Sequence, residues 1–123
     1  MWSESALSVE DVSIRATAVE SVQVMSHPKA DGVLTRALLT DVAPKVRLAA
    51  LRAAKLRRAT LSMRQAVKAA QSDDSAHVRL DALRLIRDWL KQHPDLKTVI
   101  NAFEKRDTLD MIRKEAQRLL RRP

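Results

Sequence analysis

The sequence predicts an all-α protein, an α-solenoid of about three and a half antiparallel helix-turn-helix units, and three observations carry that reading. Of the 123 residues 46% are hydrophobic, yet only Trp2, Trp89 and Phe103 are aromatic, so a core has to be built from Ala, Val, Leu and Ile. One Gly and four Pro leave few helix breakers, and most of the remaining residues cost little in a helix. Finally, one motif returns every 32 to 34 residues, the mark of a repeat architecture. No strand-like alternation of useful length competes with it.

The motif aligns without gaps. It reads DVAPKVRLAAL from Asp41, DDSAHVRLDAL from Asp73 and DTLDMIRKEAQ from Asp107, with a degenerate copy, VEDVSIRATAV, from Val9. Arg15, Arg47, Arg79 and Arg113 set its register. A β-branched residue precedes each Arg (Ile14, Val46, Val78, Ile112), and an Ala follows three positions later (Ala18, Ala50, Ala82, Ala116). Val19, Leu51 and Leu83 then stand at plus four, and Val22, Ala54, Ile86 and Leu120 at plus seven. These positions form one stripe of an α-helix.

Each copy continues into a second helix. Residues of N-cap type mark its start: Asp31 after His27-Pro28, Thr60 or Ser62, and Asp95 after His93-Pro94. The apolar stripe follows in each, with Leu34, Leu38 and Leu39, then Met63, Ala66, Val67 and Ala70, then Leu96, Val99, Ile100 and Phe103. A last helix, Asp110 to Arg122, carries apolar Met111, Ile112, Ala116, Leu119 and Leu120 with no second helix after it. It should leave apolar surface, either shielded by the stems of Arg113, Lys114, Arg118 and Arg121 or used for self-association or docking. The chain reads as one domain, 1–123, with repeats over about 9–40, 41–72 and 73–106 and a terminal half-repeat 107–123.

The string D-x(5)-R-x-x-A with Val or Ile before the Arg resembles the HEAT repeat, particularly its short bacterial variety, over residues 9–120. The resemblance implies a right-handed superhelix, with the Asp in the turn between repeats and the Arg early in the first helix. It implies a polar ladder of Asp41, Asp73 and Asp107 with Arg47, Arg79 and Arg113. Arg15 joins without its Asp, because Val9 stands at that position, which suggests a cap or a truncated preceding repeat with Trp2 to Ser8 as its remnant.

Charges that return in every repeat are expected to serve the repeat rather than a reaction. His27, His77 and His93 form no i, i+4 pair, and two of them directly precede Pro. Asp73-Asp74 and Asp107/Asp110 lie at helix starts, where the macrodipole favours acids. No Gly-rich phosphate loop can be built around Gly32 alone, and no cysteine supplies a thiolate. The expectation is a protein with no catalytic, metal or cofactor residues.

The formal charge of +8 is concentrated: residues 1–44 carry three Lys/Arg against six Asp/Glu, 45–68 eight against none, and 69–123 twelve against nine. Arg57 and Arg58 fall where the first helix of the second repeat ends. Arg64 and Lys68 are one turn apart on the second helix, the one that lines the inner surface in HEAT-type stacks, and Arg36 aligns with Lys68. With Lys97 and Asn101 these are the candidate contact residues.

The expected function is a scaffold binding a protein or acidic peptide on its concave face. A second reading is sequence-independent nucleic-acid binding through phosphate, since HEAT-like DNA glycosylases hold a duplex on similar architecture, although a stacking platform of aromatics is missing. A third is a regulatory domain: units similar to VRLAALRAA and VRLDALRLI form the C-terminal part of some bacterial zinc-finger anti-sigma factors, whose Cys/His module is absent here. With no apolar run of about 20 residues and no signal-peptide pattern, no membrane segment is expected, and the expectation for location, only weakly determined by the sequence, is cytoplasmic.

Overall fold

The computed structural model describes residues 11–26 and 29–121, and every regular element among them is helical. The helices are α1 (Val12–Ser21), α2 (Ala30–Thr40), α3 (Pro44–Lys55), α4 (Leu61–Ala69), α5 (Ala76–Trp89), α6 (Lys97–Arg106) and α7 (Asp110–Leu120), with 3-10 turns at Val22–Val24, Ala70–Ser72 and Pro94–Leu96. The chain divides into two compact units, Met1–Ala66 and Val67–Pro123, and the division falls inside α4.

Helix starts follow from how the first amides find acceptors. Asp11 caps α1 by accepting from the Ile14 N–H at 3.0 Å. Pro44 occupies the first turn of α3, where its missing N–H would have had no intrahelical partner. Thr60, not Ser62, caps α4, its hydroxyl accepting from the Met63 N–H at 3.3 Å. Ser75 does the same for α5 with the Val78 N–H.

Two expected caps fall elsewhere. Asp31 lies in the first turn of α2 behind Lys29, and its carboxylate accepts from Arg57 at 2.7 Å. Asp95 sits inside the Pro94–Leu96 turn, and α6 begins only at Lys97. Pro94, with its fixed φ, starts that turn. At the C-terminus α7 ends at Leu120, and Arg122 lies outside the described residues, as do Trp2 to Ser8, Val9 and His27-Pro28.

In the first unit α3 packs against both α1 and α2. Its buried face is Val46, Ala49, Ala50, Leu51, Ala53 and Ala54, and the four alanines let neighbouring helix axes approach closely. Ala16, Ala18, Val19 and Val22 are buried from the α1 side, and Ala30, Val33, Leu34 and Leu38 from α2, while Leu39 is exposed. In the second unit α7 packs on α6 and α5. Phe103, Ile100, Ile86, Leu83, Ile112 and Ala116 are fully buried there.

The repeat positions keep this burial except at the ends of the series, where Ile14, Gln117 and the half-buried Leu120 depart from it. The residue before the Arg is fully buried at Val46, Val78 and Ile112, whereas Ile14 is 51% exposed. The position four after the Arg buries Val19, Leu51 and Leu83 but in α7 holds Gln117, which is exposed. Of the apolar residues on the last helix Ile112, Ala116 and Leu119 are buried, Leu120 is half-buried and Met111 is exposed.

Candidate interaction surface

The recurring Asp and Arg are held by their turns. Asp41 and Asp107 stand directly after the last residues of α2 and α6 in extended backbone conformation, and Asp73 follows the Ala70–Ser72 turn in the same conformation. In each, Oδ1 accepts from the amide two residues on, Ala43, Ser75 or Leu109, at 2.9 Å. That bond fixes the chain direction into the next helix. Each Asp carbonyl oxygen accepts from Nη1 of the Arg six residues later: Arg47 at 2.8 Å, Arg79 at 2.9 Å and Arg113 at 2.7 Å.

In Arg15 and Arg79 the remaining guanidinium edge reaches forward to the next repeat. Arg15 donates through Nε and Nη2 to the Asp41 carboxylate at 3.1 and 3.2 Å, and Arg79 does so to Asp107 at 2.9 and 3.4 Å. Both pairs are bidentate, the geometry for which the planar guanidinium is suited. The Arg79 and Asp107 side chains are only 12% and 1% exposed. The hydrogen bond to Asp41 raises the Arg15 guanidinium further above its already high pKa. Arg113 instead bonds Asp110, three residues away on its own helix, at 3.3 Å.

The candidate contact residues divide by environment. Arg57 is withdrawn from the contact set: its side chain is 15% exposed, and its guanidinium donates to Asp31, to the Val22 carbonyl at 3.2 Å and to the Met25 carbonyl. This strut joins two connections of the first unit. No periodic signal marks it in the sequence, because no other repeat carries the pair. Arg64 is half-buried and donates to the Ala59 carbonyl at the start of its own helix.

Arg36 and Arg58 in the first unit, and Lys68 and Lys97 in the second, are exposed and in no ion pair with a described residue. Asn101 is half-buried. A polar recess of about 290 Å³ in the second unit is lined by Gln71, Ser72, Asp73, Arg79, Arg106, Asp107 and Thr108. Its two cations face two carboxylates, and Arg79 is already bonded to Asp107, so the recess offers no net charge for an ion.

His77 is exposed and His93 half-buried, and among the described residues no group of three or more His, Asp or Glu side chains converges. No helix among them is long and apolar enough to cross a membrane. Compared with protein-family models, curated proteins and solved structures, the chain matches none.

Proposed function

We propose that this chain is a non-enzymatic helical-repeat scaffold, a right-handed α-solenoid of HEAT-like repeats that binds a protein or acidic peptide on the face lined by its second helices. The observation that carries the reading is the bidentate pairing of Arg15 with Asp41 and Arg79 with Asp107. Each of these pairs joins one repeat to the next. The recurring charges therefore act in stacking, and binding falls to the residues the motif leaves variable. Exposed Arg36, Lys68 and Lys97 on α2, α4 and α6 are the side chains assigned to contact.

The acid-free run from residue 42 to residue 72 supports a second reading, phosphate binding to nucleic acid. One experiment separates the two. The tagged chain is used for affinity capture from a native extract with and without nuclease, beside an Arg36→Glu/Lys68→Glu variant whose melting temperature is unchanged. The scaffold reading expects a protein retained after nuclease and lost in the variant. Retention of nucleic acid alone, weakening steeply with salt, contradicts it and supports the second reading.

A further inference from the structure

A lone exposed leucine is ordinary in a folded protein. In the first compact unit three large apolar side chains stand exposed at one end beside two exposed cations. Leu56 follows the last residue of α3 and is 68% exposed, and Leu61 opens α4 at 62%. The link between them is four residues, Arg57 to Thr60, so both lie at the same end of the first compact unit. Val24, 81% exposed, belongs to the connection that leaves α1. Arg57 fixes the two connections side by side, since its guanidinium bonds the carbonyls of Val22 and Met25, which bracket Val24. Asp31 neutralises that guanidinium from the start of α2.

We propose that this end of the first unit docks on an anionic lipid bilayer, with Val24, Leu56 and Leu61 entering the interface and Lys55 and Arg58 meeting lipid phosphates. Charge complementarity selects the occupant. Lys55 directly precedes Leu56 and Arg58 lies between Leu56 and Leu61, both cations are exposed, and no Asp or Glu occurs between Asp41 and Asp73. A duplex would use the cations but gain nothing from three projecting aliphatic groups. Side chains exposed by more than three fifths stand out from the surface rather than line a groove, so a complement has to close around them, as acyl chains do. Apolar insertion combined with basic contacts is the pattern by which peripheral proteins bind a membrane without spanning it.

The test is co-sedimentation of the full chain with large vesicles of phosphatidylcholine alone, or of phosphatidylcholine with about one third phosphatidylglycerol, near physiological salt. The chain is expected to pellet with the anionic vesicles and remain in solution with the neutral ones. Leu56→Ser with Leu61→Ser should lower the partition coefficient roughly tenfold or more while leaving the melting temperature unchanged. Lys55→Glu with Arg58→Glu should abolish binding. As a variant that keeps an apolar side chain, Leu56→Trp should bind anionic vesicles with a blue shift of emission beyond that of the unsubstituted chain, in which Trp2 and Trp89 set the baseline.

No binding to anionic vesicles overturns the proposal. So does binding that is indifferent to the serine changes, or a Trp emission that does not shift. Duplex binding lost with the two cations and insensitive to the leucines assigns the surface to nucleic acid instead.

Discussion

At Asp107 one residue meets three demands: its backbone follows the end of α6, its Oδ1 holds the Leu109 amide, and its carboxylate receives Arg79 from the preceding repeat. Glutamate would place the carboxylate a methylene too far for the short turn, and asparagine would remove the charge that the bidentate guanidinium meets. Other carboxylates are tuned more locally. The hydrogen bond from Arg118 holds Glu115 below its ordinary 4.5, with Arg84 and Arg87 adding to the pull, and Lys114 does the same for Asp110 below 3.8. Groups more acidic in the folded chain than in the unfolded one stabilise fully above their ordinary pKa, and that contribution is lost as pH falls through the lowered values. Thermal unfolding followed by circular dichroism should therefore show a decline in melting temperature below about pH 4.5 that is smaller in Glu115→Gln. The Glu115 share is below about 1 kcal/mol, because the pair is at the surface.

At the scale of elements, much of the fold was legible because the repeat positions report burial directly. Val46, Val78 and Ile112, chosen by spacing alone, are all fully buried. Ile14 has the same sequence environment and differs in exposure, since burial depends on what packs against a position and spacing does not record that. Volume loss should separate them: Val78→Ala is expected to cost about 2 kcal/mol in chemical denaturation and Ile14→Ala under about 1. Equal losses would contradict the difference in burial between the two positions. The caps were less legible. Thr60 and Ser62 are both suitable cap types, and only the turn geometry selects Thr60. Asp31 is of cap type but stands in the first turn of α2, its carboxylate paired with an Arg 26 residues away.

On the scale of the whole molecule, the sequence separates two sets of charges with different duties. The periodic Arg and Asp are fixed in turns and between repeats, and the aperiodic cations lie largely at the surface. The contact set was only partly legible for that reason. Arg57 and Arg58 are adjacent in sequence, yet one is a strut between connections and the other is exposed, a difference decided by which side of the α3 terminus faces Val22 and Met25. Such surface assignments have no period to reveal them, because each is made once.

The most direct test of the central claim is a double-mutant cycle on Arg79 and Asp107 by denaturant unfolding, with Arg84→Ala as a surface control. Arg84 is half-exposed and only 3.9 Å from Asp81, three residues away. Arg79→Ala is expected to cost about 2–4 kcal/mol and Arg84→Ala under about 0.5, with Arg79 and Asp107 coupled by about 1–3 kcal/mol. Equal losses for the two arginines, or a coupling near zero, would contradict it.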